Sequence, residues 1–412
     1  MTLRITLASN VEGWDIMMNG QLETALAADD RVKVTGFVPG HTQEQRDHAT
    51  QLNVALHDAE VYDGYDVNER LAFPPDNLEI DILIMHFYGR NVGRQAQIIT
   101  KAKKCKWVLV LHTISKELEK YLEAPAPSTD VQESEHDLQL KLCEKADLVL
   151  AVGPQVAEAY KAALRYLGKQ KEVMTLMPDI PREFLSVRAM IKNSHEIFRV
   201  LISASAKYFK VKGCDIAAKA FKILKDPSFQ LILVVKSSDD TDAVEKAMLK
   251  EGIGLNQLTV RNFSGSSDKW CQLLCEVDLL IKPSRVEGFG MSGLRAISAN
   301  LPVLISGNCG LGIALKKLRS GCEHVVDSQD PEIWAEEIEK IKAKDVQTCQ
   351  SEAEQLKNEY IEEYKWEDKF NLVVDKFFEM IPRNEEAIGR DCEDGKLKYG
   401  VQETQEGEED DS

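Results

Sequence analysis

The sequence predicts an α/β protein built as two doubly wound, Rossmann-like domains that face each other across a cleft. Three observations carry this. At 412 residues the chain exceeds one ordinary core and suits two domains of about 150 to 200 residues each. Short apolar runs alternate along it with longer amphipathic ones, which is the pattern of a parallel sheet covered by helices on both faces. That pattern starts afresh near the middle of the chain, after a polar stretch around Ser186 to Glu196.

The first series opens with the strand "LRITLAS", a helix-like stretch to Ala28 and the strand "VKVTGFV". The polar segment from Gly40 to Asn77 reads as part helix and part loop. Then come "IDILIMHF", the helical "GRQAQIITKAKK", the strand "WVLVLHT", a charged helical run from Glu133 to Lys145, and "ADLVLAV". The second series runs "FRVLISAS", "GCDIAAKAFKIL", "FQLILVVK", the helix "DAVEKAMLKEG", "LTVRNFSG", the helix "KWCQLLCEV" and "DLLIKPS". It continues through Glu287-Gly288-Phe289-Gly290 into a short helix and a buried strand. A last amphipathic helix, "WEDKFNLVVDKFFEM", stops at Pro382. The predicted boundaries are therefore 1–190 and 191–365 for the two domains, 366–382 for the last helix, and 383–412 for an acidic tail.

With 43% hydrophobic and 29% charged residues the chain reads as globular and soluble. Its net charge of −17 argues against nucleic acid or an anionic membrane as a partner. From Arg383 to Ser412 there are 11 acidic and 4 basic residues, so the tail supplies −7 of that total. It is poor in apolar residues, reads as disordered, and suits either a protein-partner contact or solubility. The nine cysteines form no CxxC pair, and Cys271 and Cys275 lie one helical turn apart on a largely apolar segment. They read as reduced core residues, not as a disulfide framework or zinc site. The stretch "MTLRITLASN" is a strand, not a signal peptide, and no run approaches the roughly 18 apolar residues of a membrane span. A cytoplasmic location is expected.

Two segments carry chemistry. In "SAKYFKVKGCDIAAKAF", Lys207 and Lys212 flank a loop between a strand and a helix beginning near Asp215. Two ammonium groups beside a helix N-terminus suit a diphosphate, because backbone N–H groups and the helix dipole add to their charge. A lysine-rich surface loop is the other reading. In "KPSRVEGFGMSGLRAISANLPVLIS", a buried strand ends at Pro283, the Gly288-Phe289-Gly290 turn lets backbone approach a ligand closely, and the following helix points its amides toward the same crevice. Glu287 stands where its carboxylate can accept hydrogen bonds from sugar hydroxyls, or else caps the helix. His86 ends a strand and either faces the cleft or is structural. Asp240-Thr241-Asp242 looks like a metal-binding DxD but falls where helix caps belong. The dinucleotide fingerprint GxGxxG is missing after the first strand.

In their order along the chain these segments resemble the retaining glycosyltransferases of the GT-B fold, family four or group one, in the glycogen-synthase-like superfamily. The resemblance covers residues 1 to about 381. Lys207 and Lys212 match the arginine and lysine of the family's "GRxxxxKG". Pro283 through Val303 matches "PSxxEGFGxxxLEAxAxGxPV", and "WEDKF" resembles the start of the helix that returns to the first domain. The resemblance implies metal-independent transfer from a nucleotide-diphosphate sugar, without a cofactor and with the anomeric configuration retained. The acceptor, which such proteins bind mainly on the first domain, stays unnamed. Lys207 and Lys212 would hold the diphosphate, while Glu287 and the amides of Gly288, Phe289 and Gly290 orient the sugar. His112 matches a first-domain histidine that approaches the donor sugar, and Gly13 in "SNVEGWD" would face the diphosphate, without the double glycine common in the family.

The departures cluster around the donor. Eight positions after Glu287, where the family's E-x7-E motif has a second glutamate for the ribose hydroxyls, stands Arg295. A guanidinium has only donors, and losing a charge-assisted hydrogen bond costs about 1.5 to 3 kcal/mol; Arg295 is expected at the donor site all the same, pairing with Glu287 or reaching a phosphate group. Asn300 and Lys236 stand where glycine is common. An alternative follows: a catalytically impaired member acting as a nucleotide-sugar sensor or interaction module. Its signature would be Arg295 lying against Glu287 at about 3 Å.

Overall fold

The computed structural model describes residues 2–9, 21–67, 69–87, 91–121, 134–168, 172–187, 197–236, 240–263 and 266–381. Gly13, the polar stretch 188–196 and the acidic tail lie outside the described residues. The first sheet contains β1 (Leu3–Ala8), β2 (Val32–Val38), β3 (Ala55–Asp58), β4 (Ile82–His86), β5 (Lys106–Leu111), β6 (Leu148–Val152) and β7 (Val173–Leu176). They are ordered β3-β2-β1-β4-β5-β6-β7. Helices α1 (Gln21–Ala27), α2 (Gln43–Gln51), α3 (Asn91–Lys103), α4 (Ser115–Glu119), α5 (Glu135–Lys145) and α6 (Pro154–Tyr166) lie between the strands.

The second sheet contains β8 (Phe198–Ser203), β9 (Phe229–Lys236), β10 (Leu258–Phe263), β11 (Leu279–Lys282), β12 (Val303–Ser306) and β13 (Val325–Val326). Their order is β10-β9-β8-β11-β12-β13. Its helices are α7 (Cys214–Leu224), α8 (Thr241–Glu251), α9 (Ser267–Glu276), α10 (Met291–Ser298), α11 (Gly310–Leu315) and α12 (Pro331–Ala343). Two long helices follow, α13 (Val346–Tyr364) and α14 (Trp366–Met380).

Both sheets are parallel throughout. Interior strands are mainly apolar, each closing on one polar residue: β4, β11 and β12 are buried along their whole length. Edge strands look different. β3 is four residues long and only half covered, so its "ALHD" carries no apolar run, and this part of the Gly40–Asn77 segment is a strand that the sequence pattern did not suggest. Strand order reverses beside β1 in one sheet and beside β8 in the other. In open α/β sheets, ligands bind at such switch points, outside the carboxyl ends of the strands.

The chain end ties the two halves together. Leu356 and Tyr360 of α13 pack with Leu294 and Leu315 of the second domain. Phe370, Val373, Val374 and Phe377 of α14 are buried against Leu3, Ile5 and Leu7 of the first. Asp240 is the N-cap of α8 and accepts from the amides of Asp242 and Ala243, so the DxD look-alike is a helix cap.

Candidate functional site

The site begins with a charged residue at the end of an apolar strand. In β11, "LLIK", Leu279 to Ile281 fill the core, and Lys282 continues the strand into the cleft with only 5% of its surface exposed. A buried ammonium needs partners. Lys282 finds Glu287 Oε2 at 3.0 Å and donates to Ser292 Oγ at 3.1 Å. Lys212 reaches the same Glu287 oxygen at 2.5 Å, and Ser284 Oγ donates to it at 3.4 Å. One carboxylate is thus clasped by two lysines. Burial pushes the Glu287 carboxyl up, but Lys212 and Lys282 outweigh it and bring it down to about 2. Burial likewise lowers Lys212, and the Glu287 charge more than restores it, leaving it raised. At neutral pH the trio carries one negative and two positive charges, an excess of one cation.

The loop bearing Lys212 is pinned to the loop bearing Glu287. Arg285 donates to both oxygens of Asp215, at 2.7 and 2.8 Å, and Asp215 sits in the first turn of α7. The Arg285 amide donates to the Val211 carbonyl at 2.9 Å, and Lys210 joins Asp215 to Glu251 at 3.2 and 2.9 Å. Gly213 has a φ of +70°, and a Cβ there would come within 2.0 Å of the Pro283 carbonyl oxygen. Only glycine lets the two loops touch in this way.

The opposite wall comes from the first domain. His86 ends β4 and His112 follows β5. Their rings are stacked with centroids 5.0 Å apart, and His86 Nδ1 lies 2.8 Å from His112 Nε2. Burial and the neighbouring His86 push His112 down to about 3, so its imidazole is neutral near pH 7. The two walls meet directly. A Cβ on Gly288 would stand 1.8 Å from the His112 carbonyl oxygen, and one on Gly153 would stand 2.6 Å from the Phe289 ring. Gln155 Nε2 donates across the cleft to the Asn308 carbonyl at 3.1 Å. Glu287, Lys212, Gly288, Phe289, Gly290 and His112 are therefore brought together.

Two expected residues are not. Lys207 is exposed and lies over the Tyr208 ring, 5.4 Å from its centroid. The second cation on Glu287 is Lys282, a residue to which the sequence reading gave no role. Arg295 does not lie against Glu287. Its guanidinium stands 5.1 Å from the centroid of the buried Trp270 ring of α9. Burial lowers it from its ordinary range, with the Glu183 charge opposing. The Arg295 side chain thus meets a π-face of α9 in place of the Glu287 carboxylate that the impaired-protein alternative required. Asn300 adopts φ +53°, a left-handed conformation that asparagine tolerates better than most residues, so its place in a usual glycine position is explained. Among the described residues no group of three or more His, Cys, Asp or Glu side chains could hold a metal ion.

Two facing doubly wound sheets, with this cluster at their carboxyl ends, define the GT-B class of glycosyltransferase folds. A family model described as "Family 4 Glycosyltransferase in conflict systems" matches residues 13–372, and the chain belongs to that family. A D-inositol 3-phosphate glycosyltransferase from Corynebacterium urealyticum is 20% identical over 75% of this chain and 74% of its own length. The lipopolysaccharide glucosyltransferase WaaG of Escherichia coli is 29% identical over 40% of this chain and 44% of its own. Among solved structures, sucrose-phosphate synthase from Thermosynechococcus elongatus superposes with a TM-score of 0.65 at 17% identity, covering 92% of this chain and 99% of that one. Anabaena HepE in complex with UDP and glucose superposes with 0.64 at 14% identity, covering 92% and 100%. No described helix is long and apolar enough to cross a membrane.

Proposed function

We propose that this glycosyltransferase uses a nucleotide-diphosphate sugar and transfers the sugar with retention of anomeric configuration. The observation that carries the proposal is the pair of lysines, Lys212 and Lys282, on Glu287 at the carboxyl end of β11. An excess of one cation in a buried crevice calls for an anionic ligand, and a diphosphate supplies it. In the reaction the anomeric C–O bond to the diphosphate breaks and a bond to the acceptor oxygen forms. The acceptor proton leaves on the diphosphate. Negative charge therefore grows on the leaving group, where Lys212, Lys282 and the amides at the start of α10 stabilise it more in the transition state than in the ground state. Glu287, held ionised, accepts from the sugar hydroxyls. His112, neutral and across the cleft, completes the sugar pocket. The position of Arg295 on Trp270 removes the contact that an impaired, sensor-like protein would have used to fill the donor pocket. No metal is assigned a part. The relatives named for inositol 3-phosphate and for lipopolysaccharide differ in what they are named for, so the proposal names no acceptor.

The test is to incubate the full chain with UDP-, GDP- and ADP-sugars and follow release of free nucleotide. Nuclear magnetic resonance of the first sugar product then gives the configuration. One donor is expected to be turned over, with an α-linked donor giving an α product. Turnover with inversion, or release of nucleotide from none of them, would overturn the proposal.

A further inference from the structure

One first-domain ring reaches across the cleft to the loop that carries Lys212. Tyr121 follows α4, and its ring centroid stands 5.8 Å from the guanidinium carbon of Arg285 on the opposite wall. Within about 6 Å of a ring centroid a guanidinium is attracted by the ring's negative face. The N–H groups of the same guanidinium are engaged elsewhere. They donate to both oxygens of buried Asp215, at 2.7 and 2.8 Å, and to the Lys210 carbonyl at 2.7 Å. A planar fork can take a carboxylate along its edge and a ring on its face, which a lysine ammonium cannot do. Arg285 thus grips the chain on both sides of Lys212, at Lys210 and at Asp215, while Lys212 reaches Glu287. The grip lies within one domain, but the Tyr121 contact joins two, so it exists only while the walls are together.

We propose that Tyr121 and Arg285 form a latch across the cleft and are positioning residues for Lys212. When the walls close, the Tyr121 ring holds the guanidinium that holds the Lys212 loop, so the loop is at its stiffest in the closed protein. The inference rests on the reading of Lys212 as a ligand of the leaving diphosphate. Lys212 and Lys282 both belong to the second domain, so a nucleoside diphosphate can bind there with the latch open. What the latch adds is a fixed ammonium at the moment when charge grows on the leaving group, and preorganised charge of that kind acts on the transition state. A cation–π contact at a partly covered site shifts such an equilibrium by about threefold to tenfold. Loss of the ring should therefore fall on kcat and spare nucleotide affinity.

The experiment compares the full chain with Tyr121→Ala, Tyr121→Phe, Arg285→Lys and the double variant Tyr121→Ala/Arg285→Lys. The first readout needs no ligand. The amides of Lys212, Gly213 and Cys214 donate to the carbonyls of Tyr208, Lys210 and Phe209, so their hydrogen exchange reports opening of the loop. Exchange there is expected to quicken about threefold to tenfold in Tyr121→Ala and to stay at the wild-type rate in Tyr121→Phe, which keeps the ring. Wild-type exchange in Tyr121→Ala overturns the latch, and so does Tyr121→Phe exchanging as fast as Tyr121→Ala. The second readout is kinetic, with the donor identified by nucleotide release and affinity measured with UDP, GDP and ADP. In Tyr121→Ala kcat should fall about threefold to tenfold with nucleotide affinity within about twofold of the wild type. In the Arg285→Lys background, where the fork is gone, the same substitution should change kcat less than about twofold. An equal fall in both backgrounds overturns the coupling through Arg285, and a fall in affinity alone overturns the role in the transfer step. If none of the three nucleotides binds, the diphosphate reading fails, while hydrogen exchange still decides the latch.

Discussion

The two walls of the cleft are made in the same way and charged in opposite ways. Each places polar side chains at the carboxyl ends of central parallel strands beside a topological switch point. The second-domain wall gathers two ammonium groups on one carboxylate, Lys212 and Lys282 on Glu287. The first-domain wall carries two stacked imidazoles, His86 and His112, with the Glu23 carboxylate close to His86. The difference shows how one scaffold divides the work. On the proposed function, the wall with surplus positive charge would receive the anion, and the wall of neutral imidazole would face the sugar.

The comparison can be broken most sharply at Glu287. Glu287→Gln leaves two buried ammonium groups facing each other, and a urea melt should show a loss of about 3 to 5 kcal/mol, with donor turnover lost as well. A stability within about 1 kcal/mol of the wild type would mean that the lysines are not confined as described. Gly288→Ala comes next. Its Cβ would collide with the His112 carbonyl, so the walls should part, with turnover falling more than nucleotide affinity and a larger radius of gyration by X-ray scattering.

Between the walls, pH separates the contributions. His112 titrates near 3 when folded against an ordinary 6.5. The unfolded chain therefore takes up its proton first, and the stability it contributes is present above about pH 6.5 and lost as the pH falls toward 3. Between pH 7 and 4.5 the loss should reach about 2 to 3 kcal/mol in wild-type melts, and His112→Gln should flatten it. Glu287, held down to about 2, adds its own loss only below its ordinary value of 4.5. The smallest effects are expected outside the site. Arg295→Met gives up a cation–π contact of about 1 kcal/mol and should leave donor affinity as it was. Lys207→Ala should change neither measurably.

Much of this was legible in the sequence, and the reasons differ by residue. The central strands were legible because a strand buried on both faces must be an unbroken apolar run, as "ILIM" and "LLI" are. The edge strand Ala55–Asp58 was not, because a half-covered strand of four residues needs no such run. Glu287 and Lys212 were legible from motif order. Lys282 stood in the same stretch, and the signal was available: a lysine ending a core strand has to be paired. Glu23 could not be found, because His86, the residue it lies near, is 63 positions away and nothing local marks the two as neighbours. Arg295 was legible as a departure, but its destination was not, since nothing local says that Trp270 lies beneath it.

The most direct measurement is calorimetric titration of UDP-, GDP- and ADP-sugars into the full chain, beside Lys282→Met, Lys212→Met and Lys207→Ala. One donor is expected to bind the wild type and Lys207→Ala alike, at about micromolar strength, and to lose about tenfold or more in each of the other two. Binding that survives Lys282→Met and Lys212→Met but is lost in Lys207→Ala would contradict the assignment of the diphosphate to the lysine pair on Glu287.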